Sequence, residues 1–261
     1  MKKDEVSVNR RELTYNDIKT YIDKKPIKDL CLYEFKPQIS RSMIDNVLED
    51  LEKNDCKKDF IKKIIIAPEN PAHTNVLIYG VCNGKKICFT LTTDFYESVM
   101  PYFSKKFSQG KKSDITFILS DIHVDSTNCG VFAIESCKHL NLDDFRKILS
   151  NEQENLKKQN VLNHEIFYIK TILLPASLQK YDQQMSNNKL NELKQKYPEE
   201  YMKLTSKIKP KNFSTDKYGK EKLPLDTEQI NVDNCYNKAA SYKRKKIVDL
   251  ADQKKKENGI G

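Results

Sequence analysis

Apolar positions along this chain recur in two rhythms. Met43, Ile44, Val47, Leu48 and Leu51 fall at three- and four-residue steps and predict a helix over 41–54, with Ser42 and Asp45 at capping-box spacing. Phe60 to Ala67 encloses Ile64-Ile65-Ile66 and reads as a buried strand bounded by Pro68 and Pro71. Val76–Val81 and Ile87–Leu91 are two further strands, and the Asn83-Gly84 pair between them is a strong two-residue hairpin signal. Ile115–Leu119 is another strand, followed by a polar loop over 120–128. Val131, Phe132, Ile134 and Leu140 then give helical spacing that starts at Cys129. Leu142 to Leu156 reads as further helix, and Glu165 to Leu174 as a strand or a buried helix.

The two ends have a different character. Residues 1–38 are charged and weakly patterned, broken by Pro26 and Pro37, and read as a partly ordered arm. Beyond Pro175, Lys and Asn dominate; Leu190, Leu193 and Tyr197 mark a short amphipathic helix, and Pro210 to Asn234 is loop-like. Tyr242 to Ile247 closes the ordered part, with a flexible tail expected over 251–261.

Composition narrows the class. The 261 residues hold one large domain or two small ones, and the absence of repeats or low-complexity linkers favours one. Hydrophobic content of 38%, charged content of 32% and no Trp describe a soluble chain. The net charge of +9 implies an anionic partner without choosing between nucleic acid, membrane and phosphorylated ligand. Seven cysteines and a charged Met1-Lys2-Lys3-Asp4-Glu5 start point to reduced thiols and no cleavable signal peptide. No apolar run reaches membrane-span length, and Lys2 rules out N-myristoylation.

One cysteine stands apart. Cys129 ends a strand–loop unit and opens a helix, where orphan N–H groups and the positive dipole end favour thiolate. A thiolate nucleophile needs a base within hydrogen-bond reach, and the base needs a partner to fix its tautomer. The hairpin offers that pair: counted back from the turn at 83–84, His73 falls beside Asp94. His139 lies inside the Cys129 helix, and His164 has no partner signal. His123, six residues before the cysteine, is a candidate second donor beside the Cys129 backbone N–H in an oxyanion hole.

The order His–acid–Cys, with Asp121-Ile122-His123-Val124-Asp125-Ser126-Thr127-Asn128-Cys129-Gly130-Val131-Phe132 at the nucleophile, resembles the YopJ-type effector acetyltransferases of the clan CE cysteine-protease fold. The His73 to Lys85 hairpin matches that family in spacing. Pro175 to Tyr181, Lys189 to Pro198 and Ser241 to Asp249 resemble its segments after the catalytic helix. Two positions depart: His123 stands where the family usually has Gln, and the family's acid would fall near Thr92, two residues before Asp94.

The resemblance implies an α+β fold, a clan CE papain-like core with a mixed central sheet flanked by helices. Residues 39–175 would be the catalytic core and 176–250 a basic regulatory region. It implies transfer of an acetyl group from acetyl-CoA through Cys129 to Ser, Thr or Lys of a host protein, possibly a signalling kinase, with His73, Asp94 and His123 in the roles above. It further implies activation by inositol hexakisphosphate held by Lys180, Lys243, Arg244, Lys245 and Lys246, with Arg41 as a weaker contributor, and delivery into host cytoplasm by a specialised bacterial secretion system. A ubiquitin-like-specific cysteine protease of the same clan and a catalytically weakened decoy are the alternatives. Nucleic-acid binding would rest on charge alone, without a recognisable module.

Overall fold

In the computed structural model, the described residues are 12–54, 58–69, 73–91, 115–120, 122, 128–150, 157–161, 164–169, 171–179, 181–182, 187–207, 214–215, 221–222 and 236–257. In chain order they form α1 (Tyr15–Lys24), β1 (Leu30–Glu34), α2 (Pro37–Lys53), β2 (Phe60–Ala67), β3 (Asn75–Cys82), β4 (Lys85–Thr90) and β5 (Ile115–Ser120). Then come α3 (Cys129–His139), α4 (Leu142–Ser150), β6 (Lys157–Val161), β7 (His164–Ile169) and a 3-10 turn at Thr171–Leu173. The C-terminal part holds α5 (Ala176–Gln179), α6 (Asn187–Lys196), α7 (Pro198–Lys207), the two-residue strands β8 (Ser214–Thr215), β9 (Glu221–Lys222) and β10 (Tyr236–Asn237), and α8 (Lys238–Glu257).

Seven strands make one mixed sheet in the order β1-β2-β3-β4-β5-β7-β6. The centre, β2-β3-β4, is antiparallel; β1 joins β2, β5 joins β4 and β7 joins β5 in parallel, and β6 returns antiparallel on β7. Strict alternation divides the sheet's two faces. Ile65, Ala67, Val76, Ile78, Ile87, Phe89 and Ile118 bury against α1, α3, α4 and α8. Ile64, Ile66, Leu77, Tyr79, Cys88, Phe117 and Leu119 bury against the Met43–Leu51 stripe of α2. The architecture is therefore a mixed sheet with helices on both faces, as expected for the clan CE class. No helix among the described residues is long and apolar enough to cross a membrane.

The hairpin forms as its turn chemistry dictates. Asn83 and Gly84 both take positive φ, 52° and 72°, the requirement of a type I′ turn. Four expectations need correction. The arm over 1–38 contains α1 and β1: Thr14 and Asp17 cap α1 reciprocally, and the short, half-polar β1 completes the sheet edge beside β2. The second helix begins at Pro37 rather than near Ser42, because Pro at N1 already fits the first turn. The tail beginning at 251 instead continues α8 to Glu257, with Ala251 buried and Lys254 Nζ 3.4 Å from Asp23 of α1. The helix expected over 142–156 is described only to Ser150, and Lys157–Val161 forms an edge strand whose Lys-Lys-Gln-Asn content hid it.

Gly80 pairs with Ile61 of the neighbouring β2, and a Cβ there would run into the carbonyl oxygen of Phe60, a backbone atom with nowhere to go. Gly80→Ala should lower stability by about 1–3 kcal/mol, read as a fall in the denaturant midpoint. An unchanged midpoint would mean that β2 and β3 are not held this closely.

Candidate active site

Cys129 is the first residue of α3, with Asn128 as N-cap. Every residue from Cys129 to Cys137 is buried, so α3 is the central helix of its face. The sulfur accepts a hydrogen bond from the Thr74 backbone N–H at 3.2 Å. That contact brings the entrance of β3, one residue from His73, onto the helix N-terminus. His73 itself is exposed at this entrance, whereas Cys129 is only 7% exposed.

Burial is the largest influence on the Cys129 thiol and pushes its pKa up. The Thr74 N–H and hydroxyl and the Gly130 N–H pull the other way, and the Glu12 carboxylate adds to the rise; the net direction is up. The helix N-terminus thus acts as expected through Gly130 N–H, yet desolvation outweighs it. Asp94, His123 and Lys180 lie outside the described residues, so the structure brings together Cys129 and the His73–Thr74 strand end and leaves the other expected members unplaced.

A second constellation lies along the same helix. Glu135, its side chain 6% exposed, takes Lys243 Nζ of α8 at 2.7 Å, His139 Nε2 at 3.4 Å and Lys138 Nζ at 3.6 Å. Burial alone would raise this carboxyl, but hydrogen bonding from His139 and Lys243 and the charges of Lys243 and Lys138 bring it down to about 2. Tyr181, packed edge-on against Phe132, is held above the usual phenol range by burial and by the Glu135 carboxylate beside it. Lys138 Nζ also donates to the Tyr21 phenol oxygen at 2.7 Å. The ammonium groups of Lys25, Lys138 and Lys243 stand 5.7, 5.0 and 5.8 Å from the Tyr21 ring centroid, bringing α1, α3 and α8 together.

The basic run in α8 does not present one face. Lys243 is half-buried and paired, Arg244 is buried, and Lys245 and Lys246 are exposed. Arg41 stands on α2, across the sheet from α8, and its side chain is outside the described set. Sequence reading missed Lys25 and Lys138. The available signal was the pair of basic residues closing the Cys129 helix, Lys138-His139, where the negative dipole end favours cations.

The fold is that of the YopJ-type effectors. The structure of HopZ1a in complex with IP6 and CoA matches with a TM-score of 0.52 at 13% sequence identity, covering 90% of this chain and 82% of that one. A deletion variant of AvrA with IP6 and CoA matches with a TM-score of 0.49 at 16% identity, covering 91% of this chain and 90% of that one. No protein-family model matches the chain, and no curated protein matches it.

Glu135 makes a pH prediction. Its carboxyl is depressed from 4.5 to about 2 on folding, so its contribution is complete above pH 4.5 and is lost as pH falls toward 2. The contribution is of order roughly 3 kcal/mol. Denaturant midpoints measured from pH 6 to pH 2 should show this acid loss in the wild type and a flatter profile in Glu135→Gln; parallel profiles would remove Glu135 as its source.

Proposed function

We propose that this chain is an effector-type acetyltransferase of the YopJ kind, with Cys129 as the acyl-carrying nucleophile. The observation that carries the reading is the Thr74 N–H bond to the Cys129 sulfur, which sets the His73 strand end at the nucleophile. In this reading His73 takes the thiol proton as the sulfur attacks the thioester carbonyl of acetyl-CoA. The carbonyl carbon bonds to sulfur, the CoA thiolate leaves, and the imidazolium returns the proton to it. A Ser, Thr or Lys side chain of a host target protein, possibly a signalling kinase, then attacks the acyl-enzyme, losing its proton to His73 and regenerating the thiol.

Asp94 is assigned to orient His73. The support is the sequence count from the Asn83-Gly84 turn, which pairs position 73 with position 94. The Cys129 N–H, unbonded within its helix as an N1 group, and His123 are assigned to the oxyanion. The likeness to HopZ1a in complex with IP6 and CoA supports acetyl-CoA as donor and inositol hexakisphosphate as activator. For the polyphosphate we assign Lys243 with Lys25 and Lys138 of the Tyr21 cluster, together with Lys180; Arg244 anchors α8, while Lys245 and Lys246 on its outward side and Arg41 across the sheet are set aside. Delivery into host cytoplasm belongs to the same reading. A protease of the same clan would use the same three groups; the basic α8 packed along the catalytic helix favours the transferase.

The test is incubation with labelled acetyl-CoA, with and without inositol hexakisphosphate. Label should appear on the protein or an added acceptor only with the polyphosphate, and Cys129→Ala should lower it by about a thousandfold or more with an unchanged melting profile. Transfer retained in that variant would overturn the assignment. Inositol hexakisphosphate at a hundred times its Kd should add about 2.7 kcal/mol of stability, and an unmoved melting temperature at moderate salt would remove the activator.

A further inference from the structure

The residues just before α1 lie on the reactive turn. Leu13 is 1% exposed and packs so closely on Gly130 that a Cβ there would fall 2.9 Å from the Leu13 Cβ. The next residues are fixed in turn: Tyr15 N–H donates to the Pro68 carbonyl at 2.7 Å, and Asp17 caps Thr14. Glu12, the residue before Leu13, is thereby brought near the first turn of α3. One oxygen of its carboxylate is buried with no hydrogen-bond partner, a costly arrangement for a charged group. Its field opposes ionisation of the neighbouring thiol. The residue next to the Leu13–Gly130 contact thus carries a buried oxygen without a partner, close enough to the thiol for its charge to act there.

We propose that Glu12 is a resting-state cover for Cys129, an autoinhibitory contact held by the Leu13–Gly130 packing, which must lift before an acyl thioester reaches the sulfur. The segment it belongs to leads directly into α1, and α1 is tied to α8 through the Tyr21 lysines and the Lys254–Asp23 pair. Ligand binding at the basic cluster thus has a mechanical route to the cover. The inference rests on Cys129 being the nucleophile, but its test needs no acyl transfer and so fails separately.

The test is alkylation of the full chain by iodoacetamide at fixed pH, with each cysteine quantified by peptide mass spectrometry. Exposed Cys31 and buried Cys88 and Cys137 serve as internal references. Glu12→Gln, which removes only charge, should speed labelling of Cys129 on the order of three- to tenfold. Glu12→Ala, which removes charge and cover, should speed it further. Gly130→Ala, which pushes Leu13 away from the other side of the contact, should act in the same direction. Faster labelling confined to Cys129 supports the cover. Unchanged or slower labelling in both Glu12 variants, or a rise shared with Cys88 and Cys137, overturns it.

Discussion

A carboxylate on the buried stretch of α3 constrains how the helices on its face of the sheet can pack. Glu135 lies two turns along α3 from Cys129, within a run that is buried from end to end. An isolated charge there would cost several kcal/mol, so it has to be met by cations from elements that reach the back of the helix. Lys138 comes from α3 itself and Lys243 from α8, and the His139 ring adds a contact at 3.4 Å. This requirement gives the C-terminal helix a fixed seat on α3. It also explains why a helix so rich in lysine is anchored rather than loose: Ala240, Ile247, Val248 and Ala251 form its apolar stripe, and Lys243 supplies the countercharge.

At the other end of α3 the balance of forces runs differently. A helix N-terminus and two backbone N–H groups favour the Cys129 thiolate, whereas burial and a nearby carboxylate oppose it, and the opposition is stronger. A thiol with this balance favours its neutral form. The same geometry with solvent or substrate admitted and Glu12 displaced would shift toward the thiolate, because burial is the largest opposing influence and is the one that opening removes. In the proposed mechanism the resting and reactive states differ in what covers the sulfur, and the donors from Thr74 and Gly130 serve both.

The sequence was legible wherever a local rule decides the outcome. Asn83-Gly84 specifies its turn regardless of context, the Met43–Leu51 stripe specifies a helix face, and Cys129 falls at the first helical position because its strand and helix patterns leave it no other place. It was illegible where tertiary contact supplies the stability. Leu30–Glu34 carries too little apolar pattern to stand alone and becomes a strand because β2 offers its edge. Tyr15–Lys24 gains its helix from a capping box and from packing on α8, neither visible in hydropathy. The pairing of Lys243 with Glu135, 108 positions apart, has no local signature at all.

The four consecutive basic residues at 243–246 show how a sequence cluster and a spatial cluster part company. Successive helical residues point about 100° apart, so four in a row sweep around the whole helix and cannot face one ligand. Here Lys243 and Arg244 turn inward, while Lys245 and Lys246 turn out. A spatial cluster needs lysines drawn from different segments onto a common point. Lys25 just after α1, Lys138 of α3 and Lys243 of α8 do this around Tyr21. Burial would raise the Tyr21 phenol, yet Lys138 and Lys243 bring it below its ordinary value, which is what an excess of local positive charge does to an acid. Among the described residues, Glu135 is the buried carboxylate paired with these lysines. The Tyr21 lysines therefore gather positive charge where α1, α3 and α8 meet, so an anion bound there would bear on all three.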